Sequence, residues 1–176
     1  MPTSFTIRPA EYNDIRDILK INDITWSKCY QGYIPDDILI KHSQELEARI
    51  PKWQSTWEGK IGFVAEINGQ IVGEATGHLQ GTIDDFDCLL NTLYVNPDCQ
   101  GLGIGKALFL KFTEEMKKYD KHKMEIHTIY KGIPDKNGQA KLGPSISFYQ
   151  KMGCLLTETY DTHPLGMIDV LMIKEL

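Results

Sequence analysis

No apolar run in this 176-residue chain approaches the length of a membrane span. Residues 1–8 lack the apolar stretch of a secretory leader. Cysteine is sparse, with only Cys29, Cys88, Cys99 and Cys154. None pair as C-x-x-C, and no Cys/His cluster has the spacing of zinc ligands. The expectation is a cytoplasmic protein with reduced thiols, no metal and no membrane attachment. Basic charge is also short: 19 Lys and Arg stand against 24 Asp and Glu, a net charge of −5. A phosphate-binding surface usually shows as a basic excess, so nucleic acid is not the expected ligand. The balance suits a cationic partner. With no internal repeat or low-complexity tract, one domain over residues 1–176 is expected.

Hydrophobic periodicity gives the order β-αα-βββ-α-β-α-ββ, a mixed α/β domain. Phe5 to Arg8 reads as a first strand that Pro9 ends. Asn13 or Asp14 caps a helix with Ile15, Ile18, Leu19 and Ile24 on its buried side. Trp26 to Pro35 reads as an aromatic loop. Pro35 opens a second helix with Asp36 and Asp37 in its first turn and Leu39, Leu46 and Ile50 as its inner face. Phe63–Ile67 and Ile71–Ala75 are strands joined at Asn68-Gly69, a strong hairpin signal. Cys88–Val95 is mostly apolar and reads as a strand buried on both faces. Ala107–Tyr119 is an amphipathic helix with Leu108, Phe112 and Met116 in line. Then follow a strand at Met124–Tyr130, a long polar loop at Lys131–Gly143 and a short helix at Ser145–Met152 ended by Gly153. Strands at Leu155–Tyr160 and Met167–Ile173 close the chain.

The informative segment is Leu93 to Leu108, LYVNPDCQGLGIGKAL. A strand runs out through Val95, and Gln100-Gly101-Leu102-Gly103-Ile104-Gly105 leads into a helix. The first amides of a helix have no intrahelical partners, and its dipole is positive there. Glycines let main chain approach an anion without a Cβ in the way. The result is a cradle for a pyrophosphate. The spacing is not the dinucleotide fingerprint G-x-G-x-x-G, and Gly105-Lys106 is followed by Ala107 instead of the magnesium-binding hydroxyl of a Walker loop.

Gln100-x-x-Gly103-x-Gly105, after the strand Leu93-Tyr94-Val95, resembles the GNAT superfamily of N-acetyltransferases. Phe148-Tyr149-Gln150-Lys151-Met152-Gly153 resembles that family's F-Y-x-K-x-G element. The resemblance implies a central, mostly antiparallel sheet of about seven strands flanked by about four helices. It implies acetyl-CoA as co-substrate and a small-molecule amine as acceptor, and it allows a homodimer. Main chain at Leu93, Tyr94 and Val95 would meet the pantetheine arm. The segment from Gln100 through Gly101, Leu102, Gly103, Ile104 and Gly105 to Lys106 would hold the pyrophosphate, with Lys151 also near the cofactor. Tyr149 would protonate the leaving thiolate, since a phenol with a pKa near about 10 is protonated at neutral pH. A non-catalytic acyl-CoA sensor or interaction module, and an enzyme acting on protein amino groups, are the other readings.

A protonated amine cannot attack, so a proton acceptor is needed. Asp87 is the first choice, with Glu74 and His127 as alternatives on neighbouring strands. The family's asparagine about seven residues before the tyrosine is replaced by Leu142, and Asn137 is the nearest substitute. Trp26, Tyr30, Tyr33 and Pro35 resemble the first-loop pattern of bacterial small-amine acetyltransferases of the PaiA type. An aromatic slot beside Asp36 and Asp37 would favour a cationic amine such as a polyamine.

Overall fold

A computed structural model describes residues 4–132, 137–139, 142–162 and 167–176. The elements are β1 (Thr6–Pro9), α1 (Ile15–Cys29), α2 (Asp36–Gln44), α3 (Leu46–Ser55), β2 (Lys60–Ile67), β3 (Gln70–His78), β4 (Cys88–Val95), α4 (Ile104–Lys118), β5 (Lys123–Lys131), α5 (Ile146–Lys151), β6 (Leu155–Thr162) and β7 (Ile168–Glu175). They form one mixed seven-stranded sheet in the order β1-β2-β3-β4-β5-β7-β6. Asn68 and Gly69 take φ of +52° and +77°, so the β2–β3 turn has the left-handed residues a tight hairpin requires. No helix among the described residues is long and apolar enough to cross a membrane.

The sheet carries apolar residues on both faces. On one face α4 buries Leu108, Phe109, Phe112 and Met116 against Ala75, Leu90, Met124 and Ile126. On the other, Tyr30, Ile34 and Leu39 pack with Ile129 and Met167. The period-3.6 stripe of α1 runs through Ile15, Ile18, Leu19, Asn22 and Thr25, so Ile24, expected inside, is exposed. That helix reaches Cys29, and Trp26 lies in its last turns and not in a loop. The second predicted helix is two, giving five α-helices among the described residues where about four were expected. The chain leaves helical geometry at Glu45, with ψ of 9°. Both pieces then reach α1: Arg49 donates to Asp23, and His42 lies 3.0 Å from the same carboxylate.

Two irregularities shape β4. It pairs with β5 in parallel only at Cys88–Met124, Leu89–Glu125 and Leu90–Ile126, after which the two strands part. On its other edge the register with β3 jumps from Thr76–Thr92 to Gly77–Leu90, leaving Asn91 as an extra residue. Such a bulge bends a strand and re-aims its side chains. Gly77 is required there, because a Cβ would lie 2.0 Å from the Leu89 carbonyl oxygen.

Candidate active site

The parting of β4 from β5 opens a cleft of about 820 Å³. Leu93, Tyr94 and Val95 form its β4 wall, and their edge toward β5 is unpaired by that strand. Gln100, Gly101, Gly103, Ile104, Gly105 and Lys106 line the cleft from the glycine loop and the first turn of α4. Tyr149 and Lys151 close over it from α5. Trp26 and Tyr30 line it from the C-terminal part of α1 and the residue after it. Most of the residues singled out in the sequence therefore share one cavity. Leu102 is exposed at the tip of the glycine loop, and Tyr33 packs edge-on against Tyr30 outside the cleft lining.

Gly103 has φ of +84°, the left-handed conformation that lets the loop turn straight into α4. The helix begins at Ile104, three residues before the expected Ala107, so the amides of Ile104, Gly105 and Lys106 are its first N–H groups. A Cβ added at Gly101 or Gly103 would meet nothing within 4 Å. The glycines there serve the backbone turn and leave the approach to the amides clear, which fits a bound pyrophosphate. Gln100 ties the loop to its strand, its Nε2 donating to the Val95 carbonyl at 3.2 Å.

Tyr149 is held by the end of its own helix. Gly153 N donates to Gln150 O at 3.0 Å, and Cys154 N donates to Tyr149 O at 2.9 Å. With Gly153 at φ of +76° this is a Schellman cap, which gives the terminal glycine of F-Y-x-K-x-G a mechanical reason. Phe109 and Phe148 flank the ring, with centroids 6.2 and 5.3 Å away. Burial raises the phenol above its ordinary value, so it stays protonated.

Another part of the cleft wall is built from side chains. Trp26 Nε1 donates to the Tyr94 hydroxyl at 3.0 Å, and the Trp26 ring stacks on His42 at 4.3 Å. The Tyr30 phenol interacts with Tyr94, and burial raises it well above its ordinary value. Burial pushes the Tyr94 phenol up to about 12, and the charge of Asp169 adds to the rise. Asp169, on β7, lines the cleft with Ile129 and Met167. It is the one carboxylate among the described cleft-lining residues, and the sequence reading missed it. Its signal was hidden in strand pairing: Asp169 stands opposite Ile129 on β5, forty residues away in the chain.

Asp36 and Asp37 are not part of this cleft. Asp36 lines a shallow depression with Ser27 and Gln31 on the outer side of α1, and Asp37 lies outside both cavities. Asp87 is also remote from the cleft lining. Its carboxylate accepts from the His122 and Lys123 amides at 3.0 and 2.9 Å, which holds it below the usual carboxylate range. Asp87 stands just before the part of β4 that pairs with β5, ahead of the point where the strands separate. His127 does line the cleft, while Glu74 lies fully buried just behind it. Asn137, the substitute for the family asparagine, does not line the cleft. Cys29 and Cys99 are also in the wall, with Gln100 Nε2 lying 3.7 Å from Cys29 Sγ.

Comparison with known proteins gives the same frame. The acetyltransferase (GNAT) domain family matches residues 58–153. An uncharacterized N-acetyltransferase of Bacillus subtilis (strain 168), YuaI, is 27% identical over 146 residues, 82% of this chain and 77% of that protein. The PaiA N-acetyltransferase of Thermoplasma acidophilum, solved with coenzyme A, superposes with a TM-score of 0.68 at 18% identity, over 98% of this chain and 99% of that one. The yncA protein of Salmonella typhimurium, solved with acetyl-CoA, gives 0.65 at 21% identity, over 98% and 94%. The match over more than half of its length, on a sheet with this splay and this glycine loop, shows that the chain belongs to the GNAT acetyltransferase family and is an acetyl-CoA-dependent N-acetyltransferase.

Proposed function

We propose that the whole chain works as one catalytic domain that acetylates a primary amine on a small cationic molecule, a polyamine being the type. The observation that carries this reading is that one cleft is lined by the amide cradle, by Tyr149, and by aromatic side chains together with Asp169. The amides from Gly101 to Lys106 receive the pyrophosphate, with Lys106 and Lys151 adding positive charge. Main chain at Leu93 to Val95 pairs with the pantetheine arm in place of β5. The coenzyme A and acetyl-CoA bound to the two structural neighbours support this assignment.

The amine nitrogen attacks the thioester carbonyl carbon, a C–N bond forms and the C–S bond breaks. Tyr149 gives its phenolic proton to the departing sulfur. No enzyme-bound acetyl group forms, and the cleft cysteines take no part. A cationic acceptor follows from the wall it would face. Trp26, Tyr30 and Tyr94 offer aromatic surface and Asp169 offers opposite charge. The role assigned in sequence to Asp36 and Asp37 passes to Asp169.

Thiol release from acetyl-CoA over a panel of diamines, monoamines, amino acids and peptides tests the proposal. Diamines should turn over with the highest kcat/KM. A panel in which peptide α-amines react and diamines do not would reject the small-cation reading and leave the acetyltransferase in place.

A further inference from the structure

Behind the β4 wall lies a carboxyl group that the reaction as described does not use. Glu74, on β3, is completely buried, as is Thr76 two residues on. Its partners are neutral. Thr92 Oγ1 donates to Glu74 Oε2 at 3.0 Å. The Asn22 amide of α1, turned to satisfy its neighbours, donates to Oε1 at 3.0 Å and to the Ile18 carbonyl at 3.1 Å. Thr76 and Thr92 hydroxyls lie 2.6 Å apart. Thr92 is the member of this chain that lines the cleft, beside the Asn91 bulge.

Resting on the acetyl-transfer reading, we infer that Glu74 takes the proton of the acceptor amine through the Thr92 hydroxyl. The amine N–H proton passes to Thr92 Oγ1 as Thr92's own proton passes to Glu74 Oε2. The hydroxyl is restored, the carboxylate becomes a neutral acid and the amine is left free to attack. After attack the adduct nitrogen carries one proton too many. That proton replaces the one Tyr149 gives to the sulfur. One acetyl group moves, one thiol forms and one proton remains on Glu74, returning to solvent along the same hydroxyl when the product leaves. Glu74 touches nothing in the cleft and acts through Thr92.

Three observations favour this role over a structural one. A tie between α1, β3 and β4 would be made as well by glutamine, without the cost of burying an ionisable group. The hydroxyl chain can reverse: Thr92 donates to the ionised carboxylate, and it accepts from the protonated one while turning its own proton elsewhere. Burial also pushes Glu74 up to about 8, against the pull of the Thr92 hydrogen bond and of Lys60 on β2, which suits an acceptor working near neutrality. The other titratable groups facing it are Tyr94 on β4 and Tyr149 on α5, both held protonated by burial, while α1 presents neutral Asn22.

The test compares Glu74→Gln, Thr92→Val and Thr92→Ser with the parent. The readouts are kcat against pH at saturating amine, the Kd of acetyl-CoA, and thermal unfolding against pH. The parent should show an ascending limb of kcat centred near 8, where Glu74 loses its proton. Glu74→Gln and Thr92→Val should each lower kcat about 10²-fold and remove that limb, with Kd unchanged, and Thr92→Ser should restore most of both. Folded Glu74 holds its proton up to about 8 while an unfolded carboxyl releases it near 4.5. The parent should therefore lose stability relative to Glu74→Gln as pH rises through that window, and no further above it. Folded Glu74→Gln or Thr92→Val with the parent's kcat and limb would overturn the relay alone, as would parallel unfolding curves for Glu74→Gln and parent. A parent that releases thiol to no amine would overturn the transferase reading and the relay together.

Discussion

In the proposed reading the glycine-loop wall of the cleft takes the cofactor through main chain, and the aromatic wall takes the amine through side chains. At the first, the working groups are amides, and the side chains matter by being absent or small: Gly101 and Gly103 adopt positive φ with open space around them. At the second, Trp26, Tyr30 and Tyr94 form a hydrogen-bonded aromatic wall joined by Asp169 from a distant strand. Main-chain recognition reads a phosphate, which every acyl-CoA shares. Side-chain recognition can change with one substitution, so selectivity for the acceptor belongs at that wall. In that reading Tyr149, which lines the same cleft, acts where cofactor and amine meet.

Changes at the junction should be the most damaging. Tyr149→Phe keeps the ring between Phe109 and Phe148 and removes the proton, so kcat should fall about 10²-fold with the Kd of acetyl-CoA unchanged. Next comes the cradle. Gly103→Glu puts a carboxylate, on a backbone position unsuited to a side chain, beside the first amides of α4. Titration calorimetry should show acetyl-CoA binding about tenfold weaker or worse, with the amine KM little changed among molecules that remain folded. Asp169→Asn should act at the aromatic wall only. It should raise the KM for a diamine about fivefold, within the range of a solvent-accessible charge pair, and leave acetyl-CoA binding alone. The salt dependence of that KM should weaken as well, since such pairs are screened over about 8 to 10 Å. Least of all should follow from Asp36→Asn with Asp37→Asn, whose steady-state constants should match the parent. A loss of amine affinity there would return the anionic anchor to α2.

The same division explains what the sequence reveals. Glycines at fixed spacing before a helix, and F-Y-x-K-x-G ending in a Schellman cap, are local devices whose geometry is written in adjacent residues. The hairpin at Asn68-Gly69 and the order of strands and helices along the chain are legible for the same reason. The aromatic wall depends on pairing between distant segments. Trp26 reaches the cleft because α1 continues through it to Cys29, into the segment expected as a loop. Asp169 reaches it through the register of β7 on β5. Asp87 is held by the His122 and Lys123 amides, which lie 35 and 36 residues away in the chain. Glu74 stood among the alternatives, and nothing in its neighbours along the chain distinguishes it. Its partners Asn22 and Thr92 come from other elements.

Direct transfer from acetyl-CoA to the amine is the central claim, and the presence of Cys29 and Cys99 in the same cleft lining makes it testable in one measurement. The intact mass of the protein is recorded after incubation with acetyl-CoA alone, and again after a diamine is added, with free thiol followed in parallel. The mass should stay at that of the unmodified chain throughout, and thiol should appear only once the amine is present, one for each acetylated amine. An acetyl group retained on the protein before amine is added, and lost when it arrives, would contradict direct attack and make a cysteine the carrier.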